Sequence, residues 1–168
     1  MPEAGASPSQ TSGPLWGFAL LFDGSENGVN PASPGAIELR GRVLDGDGRP
    51  VGWPDALIEI WHGDQLARTR TDAEGLYRAV VAKPEPQTAP DGTPLAPHLN
   101  VSLFARGLLK QLVTRIYFPD ETAANAADPA LGHVPPESRS TLIARPDGDG
   151  LRFDLILQGE GETAFFQF

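Results

Sequence analysis

The chain has 168 residues, 40% of them apolar, which is enough for one domain with a hydrophobic core. It contains no cysteine, which excludes disulfide scaffolds, thiolate metal sites and cysteine nucleophiles. The formal net charge is -9 and there is no basic stripe, which argues against a nucleic acid partner. In so acidic a chain, an anionic ligand would need a specifically placed arginine.

The beginning of the chain predicts an extended arm followed by one domain. Residues 1–14 are small and polar, show no periodicity and contain no lysine or arginine, so they do not resemble a signal peptide. The apolar segment at residues 15–22 could be a strand or a short helix, and it is too short to span a bilayer. We therefore expect an arm over residues 1–14, a single domain over residues 15–168 and a cytoplasmic location.

Segments in which apolar and polar residues alternate predict half-buried strands. Turns rich in aspartate and glycine at residues 45–48, 72–75 and 146–150 predict three hairpins, the first with a return strand that begins at residues 49–51. The strand segments are, in chain order, residues 37–43, 56–61, 68–71, 76–82, 99–103, 112–118, 141–145 and 151–157.

Helix is a minor part of the predicted fold. Residues 84–97 are rich in proline and predict a loop, whereas residues 122–130 are rich in alanine and predict one or two helical turns. Short strands separated by turn signals, with almost no helix, are typical of a β-sandwich. The sequence therefore predicts an all-β protein, a β-sandwich with long loops and no linker long enough to divide it.

The three histidines, His62, His98 and His133, are the first candidates for metal chemistry. None pairs with another histidine at a spacing of two to four residues. His98 and Asn100 would share one face of a strand, a geometry that suits two ligands, but asparagine is a poor substitute for imidazole. The residues by themselves therefore favour His98 as a hydrogen-bonded loop or strand residue.

Other chemistry-bearing side chains have structural interpretations. Ser102 lies outside any G-x-S-x-G elbow and is interpreted as a surface or pairing residue, although composition leaves a Ser/His/Asp triad open. Tyr77 and Tyr117 are interpreted as packing aromatics, and Trp61 as a core or interface aromatic rather than a pocket wall. The turn aspartates are expected to accept backbone hydrogen bonds; they are Asp45, Asp47, Asp147 and Asp149.

Seven segments together form a pattern that is more specific than any single residue. They are SQTSGP at 9–14, GRVLD at 41–45, GRPV at 48–51, IEIW at 58–61, TDAEGLY at 71–77, PHLNVSLF at 97–104 and LVTRIYF at 112–118. In this order they resemble the intradiol ring-cleaving dioxygenases over nearly the whole chain. The first core block also occurs in transthyretin-like and carboxypeptidase regulatory domains, and the later blocks make the resemblance specific.

The resemblance implies a ferric iron site from which this chain departs. Catalytic chains of the family bind non-haem Fe(III) through two tyrosines and a His-x-His pair, which corresponds here to His98 and Asn100. The two tyrosines would correspond to residues 63–70 and 84–97, and neither segment contains a tyrosine. A single imidazole cannot hold ferric iron against water and hydroxide, so we expect the Fe(III) in a partner beta chain and no metal in this one.

The resemblance is closest to the alpha chain of two-chain members, which implies a role in completing the partner's pocket. In these enzymes the substrate lies between the two chains. The alpha side contributes a Thr-x-Gly-Pro segment, which matches Thr11, Gly13 and Pro14, and an arginine, which best matches Arg139. The implied reaction inserts both atoms of O₂ into 3,4-dihydroxybenzoate and opens the ring, so we expect a subunit that is not catalytic alone.

Two sets of residues keep alternative interpretations. Arg139 would otherwise be a surface arginine paired with Glu137 or Asp128, a contact worth roughly 0–1 kcal/mol. Aromatic side chains outside the strand pattern are predicted to cover an interface with the partner, or else to pack within the fold; they are Trp16, Phe18, Phe165 and Phe166.

Two other functions compete with that of a dioxygenase subunit. One is a transthyretin-like or carboxypeptidase-regulatory-like β-sandwich module that binds or scaffolds without catalysis. It predicts a stable, colourless monomer or homo-oligomer, whereas the subunit interpretation predicts co-purification with a larger, rust-coloured partner. The other is a self-sufficient dioxygenase, which the missing ligands disfavour.

Overall fold

The structure is a computed structural model that describes residues 19–167. The predicted arm over residues 1–14 lies outside the described residues, and so do Thr11, Gly13, Pro14, Trp16 and Phe18.

Eleven strands and three short helical segments lie between residues 36 and 156. The strands are β1 (Ala36–Leu44), β2 (Ala56–His62), β3 (Gln65–Arg70), β4 (Leu76–Ala82), β5 (Gln87–Thr88), β6 (Pro94–Leu95), β7 (His98–Ala105), β8 (Leu112–Tyr117), β9 (Arg145–Asp147), β10 (Gly150–Arg152) and β11 (Leu155–Ile156). The helical segments are α1 (Thr122–Ala127), α2 (Pro129–His133) and a 3-10 helix (Pro136–Leu142).

Two sheets form a sandwich. In the first sheet β1 pairs antiparallel with β4 and parallel with both β10 and β11, and β9 pairs with β10. The second sheet has the order β3-β2-β7-β8, with every neighbouring pair antiparallel. Strands β5 and β6 pair only with each other among the described strands. The all-β sandwich predicted from the sequence is thus confirmed.

The core lies between the two sheets and follows the predicted alternation. In β1, Leu39 and Val43 are fully buried, while Arg40 and Arg42 between them are exposed. In β7 the residues of the core are Leu99, Val101, Leu103 and Ala105, so His98, Asn100 and Ser102 lie on the outer face of the second sheet. A smaller apolar cluster of Ala96, Tyr117, Leu131, Val134 and Leu142 packs beside the sandwich under the helical segments.

The first predicted hairpin is only partly correct. Asp45 and Gly48 form the expected turn, in which the Gly48 N–H donates to the Asp45 carbonyl and Gly48 has a positive φ of 74°. The return strand is reduced to a single bridge between Leu44 and Pro50. Next to the bridge, the Val51 N–H donates to the Val43 carbonyl at 2.9 Å, and the long partner of β1 is β4, over residues 36–42.

The second predicted hairpin is wrong. The turn at residues 72–75 exists, and the Asp72 side chain accepts hydrogen bonds from the N–H groups of Glu74 and Leu76. The strands on either side, β3 and β4, belong to different sheets, so the turn carries the chain from one layer to the other. The real hairpin joins β2 to β3 around Gly63, because alternation predicts a strand but not its partner.

The third predicted hairpin is shorter than expected. It consists of β9 and β10, since Thr141 and Leu142 belong to the 3-10 helix and β11 pairs separately with β1. The alanine-rich segment forms α1 and α2, as predicted. No helix within residues 19–167 has the length and apolar character needed to cross a membrane.

Candidate functional site

His98 begins β7 and is a buried, hydrogen-bonded histidine. It is 4% exposed, and its Nδ1 lies 2.8 Å from the carbonyl oxygen of Ala96, a geometry that fits donation by Nδ1–H. Its ring contacts those of His62 and Tyr117, at centroid distances of 5.5 and 5.6 Å. Burial lowers the pKa of the His98 imidazole and favours the neutral form. The interpretation of His98 as a hydrogen-bonded strand residue is confirmed.

The pH dependence of stability gives a first test of this arrangement. In an unfolded chain His98 takes up a proton near its usual pKa of 6.5, whereas the buried ring resists protonation until a lower pH. The stability that neutral His98 contributes is therefore fully present above pH 6.5. It is lost as the pH falls from 6.5 toward the lower pKa of the folded state. We expect His98→Gln to weaken the fall in melting temperature between pH 7 and pH 5, measured on the chain together with any partner that it purifies with.

The matched control is His133→Gln, because His133 lies on an exposed surface of α2 and contacts only the Pro129 carbonyl through Nδ1 among the described groups. This variant should keep the pH slope of the unmodified protein. An unchanged slope in His98→Gln would contradict the assignment of a buried neutral imidazole.

The groups beside His98 differ from the ligand set that the family resemblance implies: His62 and Tyr117 contact its ring, and Asn100 stands at the second position of the His-x-His pair. The neighbours of Asn100 in register are Trp61 on β2 and Arg115 on β8, neither of which is a ligand type. The Tyr117 hydroxyl donates to a carboxylate oxygen of Asp128 at 3.0 Å, and burial raises the pKa of Tyr117 to about 12. Within residues 19–167 no group of three or more histidine, cysteine, aspartate or glutamate side chains could hold a metal ion.

Asp128 connects three elements through one buried carboxylate. Its side chain accepts hydrogen bonds from the Tyr117 hydroxyl on β8, from the Ala96 N–H before β7, and from the N–H groups of Ala130 and Leu131 in α2. The residue is 2% exposed. Asp128 is thus the N-cap of α2, and the sequence contains a signal for it, because aspartate followed by proline is typical of a helix start. The contacts of Asp128 with Ala96 and Tyr117 have no such local signal.

Arg139 lies in the 3-10 helix and is held by two backbone carbonyls. Its Nε donates to the Val134 oxygen at 2.9 Å and one terminal nitrogen donates to the Gly132 oxygen at 3.2 Å. No ion pair joins it to Glu137, or to Asp128, whose carboxylate is occupied by other donors. The interpretation of Arg139 as the partner of an acidic surface residue is therefore wrong for the described part of the chain.

A cavity of about 290 Å³ opens beside Arg139. Its walls combine apolar side chains, among them Pro119, Leu131 and Ile143, with the buried amide of Asn125. The Asn125 nitrogen donates to the Phe118 carbonyl, while its oxygen has no hydrogen-bond partner in the described chain. An exposed guanidinium at the rim of an apolar cavity is suited to bind a small anion with an apolar body.

Several other candidate residues are placed by the structure. Tyr77 and Tyr117 are buried and pack as predicted, and each hydroxyl also donates a hydrogen bond. Trp61 is 43% exposed on the outer face of the second sheet, beside Leu66, so it is not a core residue. Phe165 and Phe166 pack against their own chain and stay half-buried, so their predicted place in an interface remains a prediction.

No protein-family model matches the chain, whereas curated relatives match nearly all of it. The protocatechuate 3,4-dioxygenase alpha chain of Pseudomonas putida is 38% identical over 195 aligned positions, which cover 96% of each chain. The alpha chain of Burkholderia cepacia is 36% identical and covers 95% of this chain and 96% of its own length. The chain belongs to the protocatechuate 3,4-dioxygenase alpha-chain family.

Further relatives place this alpha-chain family among the intradiol dioxygenases. The protocatechuate 3,4-dioxygenase beta chain of Burkholderia cepacia is 30% identical over 86% of this chain and 74% of its own length. Among solved structures, catechol 1,2-dioxygenase from Pseudomonas arvilla C-1 has a TM-score of 0.60 at 25% identity, covering 79% of this chain and 55% of that one. An intradiol ring-cleavage dioxygenase from Tetranychus urticae shares the fold, with a TM-score of 0.58 at 14% identity over 79% and 84% of the chains. This similarity favours the dioxygenase-subunit interpretation over a transthyretin-like module.

Proposed function

We propose that this chain is the non-iron-binding alpha subunit of a protocatechuate 3,4-dioxygenase. The observation that carries the proposal is its 38% identity with an alpha chain over 96% of both lengths. The enzyme would cleave 3,4-dihydroxybenzoate with O₂ between the two hydroxylated carbons and give 3-carboxy-cis,cis-muconate, which retains both oxygen atoms. This reaction belongs to aromatic degradation by the beta-ketoadipate pathway.

The metal would be held by a partner, an iron-bearing beta chain, in a hetero-oligomer of alpha–beta pairs. The residues at the corresponding positions support this division, because Asn100 stands where the second imidazole would be and neither segment that would carry a ligand tyrosine contains one. The ferric iron of the partner would supply the chemistry that activates the catechol toward O₂. This chain would supply a wall of the pocket and part of the assembly interface.

The substrate-binding residues of this wall would be Thr11, Gly13, Pro14 and Arg139. Protocatechuate carries a carboxylate besides its two hydroxyl groups, and burying that charge is costly unless a cation or hydrogen-bond donors compensate it. An arginine has five N–H donors, and the contacts with Gly132 and Val134 use two of those of Arg139. The remaining donors can hold the carboxylate and orient the ring while the pocket excludes water.

The organisation of the subunit follows the same proposal. Residues 1–14 would form an arm that reaches the partner, and residues 15–168 would form one sandwich domain. The assembled enzyme would act in the cytoplasm.

The proposal is tested by purifying this chain with and without a protocatechuate 3,4-dioxygenase beta chain from the same source. Alone, we expect no stoichiometric Fe(III), no visible tyrosinate absorption and no ring cleavage. With the beta chain, we expect one coloured complex that contains iron and consumes O₂ with protocatechuate. A one-to-one iron content with visible absorption in the isolated chain would refute the subunit role, and a chain that never associates with the beta chain would do the same.

A further inference from the structure

We propose that Asp128 is a positioning residue for Arg139: it acts on the substrate carboxylate only by fixing the short helix whose carbonyls hold the guanidinium. This inference rests on the proposed function, and within that function it names the element that gives Arg139 its orientation. No ion pair joins Asp128 to Arg139 among the described residues. Both residues form hydrogen bonds with α2, so we expect Asp128 to affect Arg139 through this helix.

The first step is the attachment of α2. This helix has only five residues, too few to be stable on its own. The Asp128 carboxylate accepts from the Ala130 N–H at 2.9 Å and the Leu131 N–H at 3.2 Å, and the Asp128 carbonyl accepts from the Gly132 N–H at 2.9 Å. Asp128 therefore fixes the beginning of the helix, while Leu131 packs in the smaller apolar cluster.

The second step is the connection of Asp128 to the sandwich. Its second carboxylate oxygen accepts from the Ala96 N–H at 3.0 Å, and the first also accepts from the Tyr117 hydroxyl at 3.0 Å. Ala96 precedes β7 and Tyr117 ends β8, so the carboxylate joins the helix to the segment that leads into β7 and to the end of β8. The bonds from Ala96, Tyr117 and Leu131 are buried, which strengthens them, and the bond from Ala130 is partly buried.

The third step is the link from α2 to Arg139. The carbonyl of Gly132, inside the helix, and that of Val134, at its end, accept from two different nitrogens of the guanidinium. Because the guanidinium of Arg139 is planar, these two hydrogen bonds set both its position and its rotation. The free N–H groups then face one direction, and a shift of α2 would turn them away from a bound carboxylate.

The test is a double-mutant cycle in the complex with the beta chain, read as kcat/KM for protocatechuate and for catechol, which lacks the carboxylate. Asp128→Asn replaces one carboxylate oxygen with an NH₂ donor, which opposes the Ala96 N–H if the remaining oxygen keeps the Tyr117, Ala130 and Leu131 donors, and it removes the negative charge from all four bonds. We expect a roughly tenfold loss for protocatechuate, chiefly through KM, and a smaller loss for catechol. In an Arg139→Ala background the same change should cost little more, because no guanidinium remains to be positioned.

A milder variant and a matched control keep the result interpretable. Tyr117→Phe removes one of the four donors to Asp128 and should shift the protocatechuate-to-catechol ratio in the same direction by a smaller factor. Tyr77→Phe removes an equally buried phenol hydrogen bond, to the Phe153 carbonyl in the other sheet, and should leave the ratio unchanged.

The outcomes separate this inference from the proposed function. If Arg139→Ala lowers protocatechuate turnover selectively while Asp128→Asn costs both substrates equally, or adds fully to Arg139→Ala, the positioning role is refuted and the pocket role stands. If Arg139→Ala has no effect on either substrate, the pocket role itself fails. Should Asp128→Asn not assemble, an unchanged ratio in Tyr117→Phe overturns the inference.

Discussion

Arg139→Ala is expected to lower kcat/KM for protocatechuate by about one to two orders of magnitude, with a much smaller loss for catechol. A charged hydrogen bond in a desolvated site is typically worth roughly 1.5–3 kcal/mol, which converts to this range of rates. The loss should be selective because catechol has no carboxylate for the guanidinium to bind. Iron content should not change, since the proposed metal site belongs to the partner chain.

The control for this variant is Arg106→Ala. Arg106 is also an arginine in an acidic chain, but it is 78% exposed and pairs with Asp55, so its removal should leave both substrates unaffected. Arg139→Lys keeps the charge without the planar fork and should fall between the unmodified protein and the alanine variant. Equal losses on both substrates in Arg139→Ala would indicate a role in ring opening or assembly. No loss on either substrate would mean that Arg139 is a surface residue without a role in substrate binding.

Gly41→Ala is expected to cause the largest loss of stability among these variants. A Cβ atom at Gly41 would lie 1.7 Å from the carbonyl oxygen of Phe153 and 2.6 Å from Cε1 of Tyr77. Tyr77 lies opposite Gly41 in register and donates its hydroxyl to that same carbonyl at 2.6 Å, so its ring covers the glycine. Backbone has to move before a methyl group fits, which costs about 3 kcal/mol or more.

This cost should lower the melting temperature by roughly 6–12 °C for a domain of this size, or prevent accumulation of the folded chain. Gly46→Ala is the matched control, because Gly46 lies in the turn after β1 and its Cβ would meet only the flexible side chain of Gln158. Its melting temperature should stay close to that of the unmodified protein. A Gly41→Ala protein with unchanged stability would mean that Tyr77 and Phe153 are not packed against this strand as described.

The positions of most strands could be predicted, whereas their partners could not. The alternation of apolar and polar residues located β1, β2, β7 and β8 to within one or two residues at each end, because one face of each strand packs in the core. The same pattern does not say which strand lies alongside. The turn at residues 72–75 therefore looked like a hairpin, although it joins two sheets.

The candidate site was predictable only in part, for a related reason. The resemblance pointed to Arg139, and an arginine in an acidic chain is a plausible anion ligand in any fold. Its local partners, the carbonyls of Gly132 and Val134, have no sequence signature, because every residue carries a carbonyl. Asp128 before Pro129 does predict a helix cap, but the bonds to Ala96 and Tyr117 span 32 and 11 residues.

The sequence by itself determined which residue types stand where the family resemblance implies iron ligands. Asn100 at the second position of the His-x-His pair, and two segments without tyrosine, are properties of residue type that need no structure to be seen. Only the tertiary structure decided how the remaining groups are used. Asp128 connects distant segments because folding buries its carboxylate and brings donors from those segments within 3.2 Å. That proximity depends on how the chain packs around the two sheets.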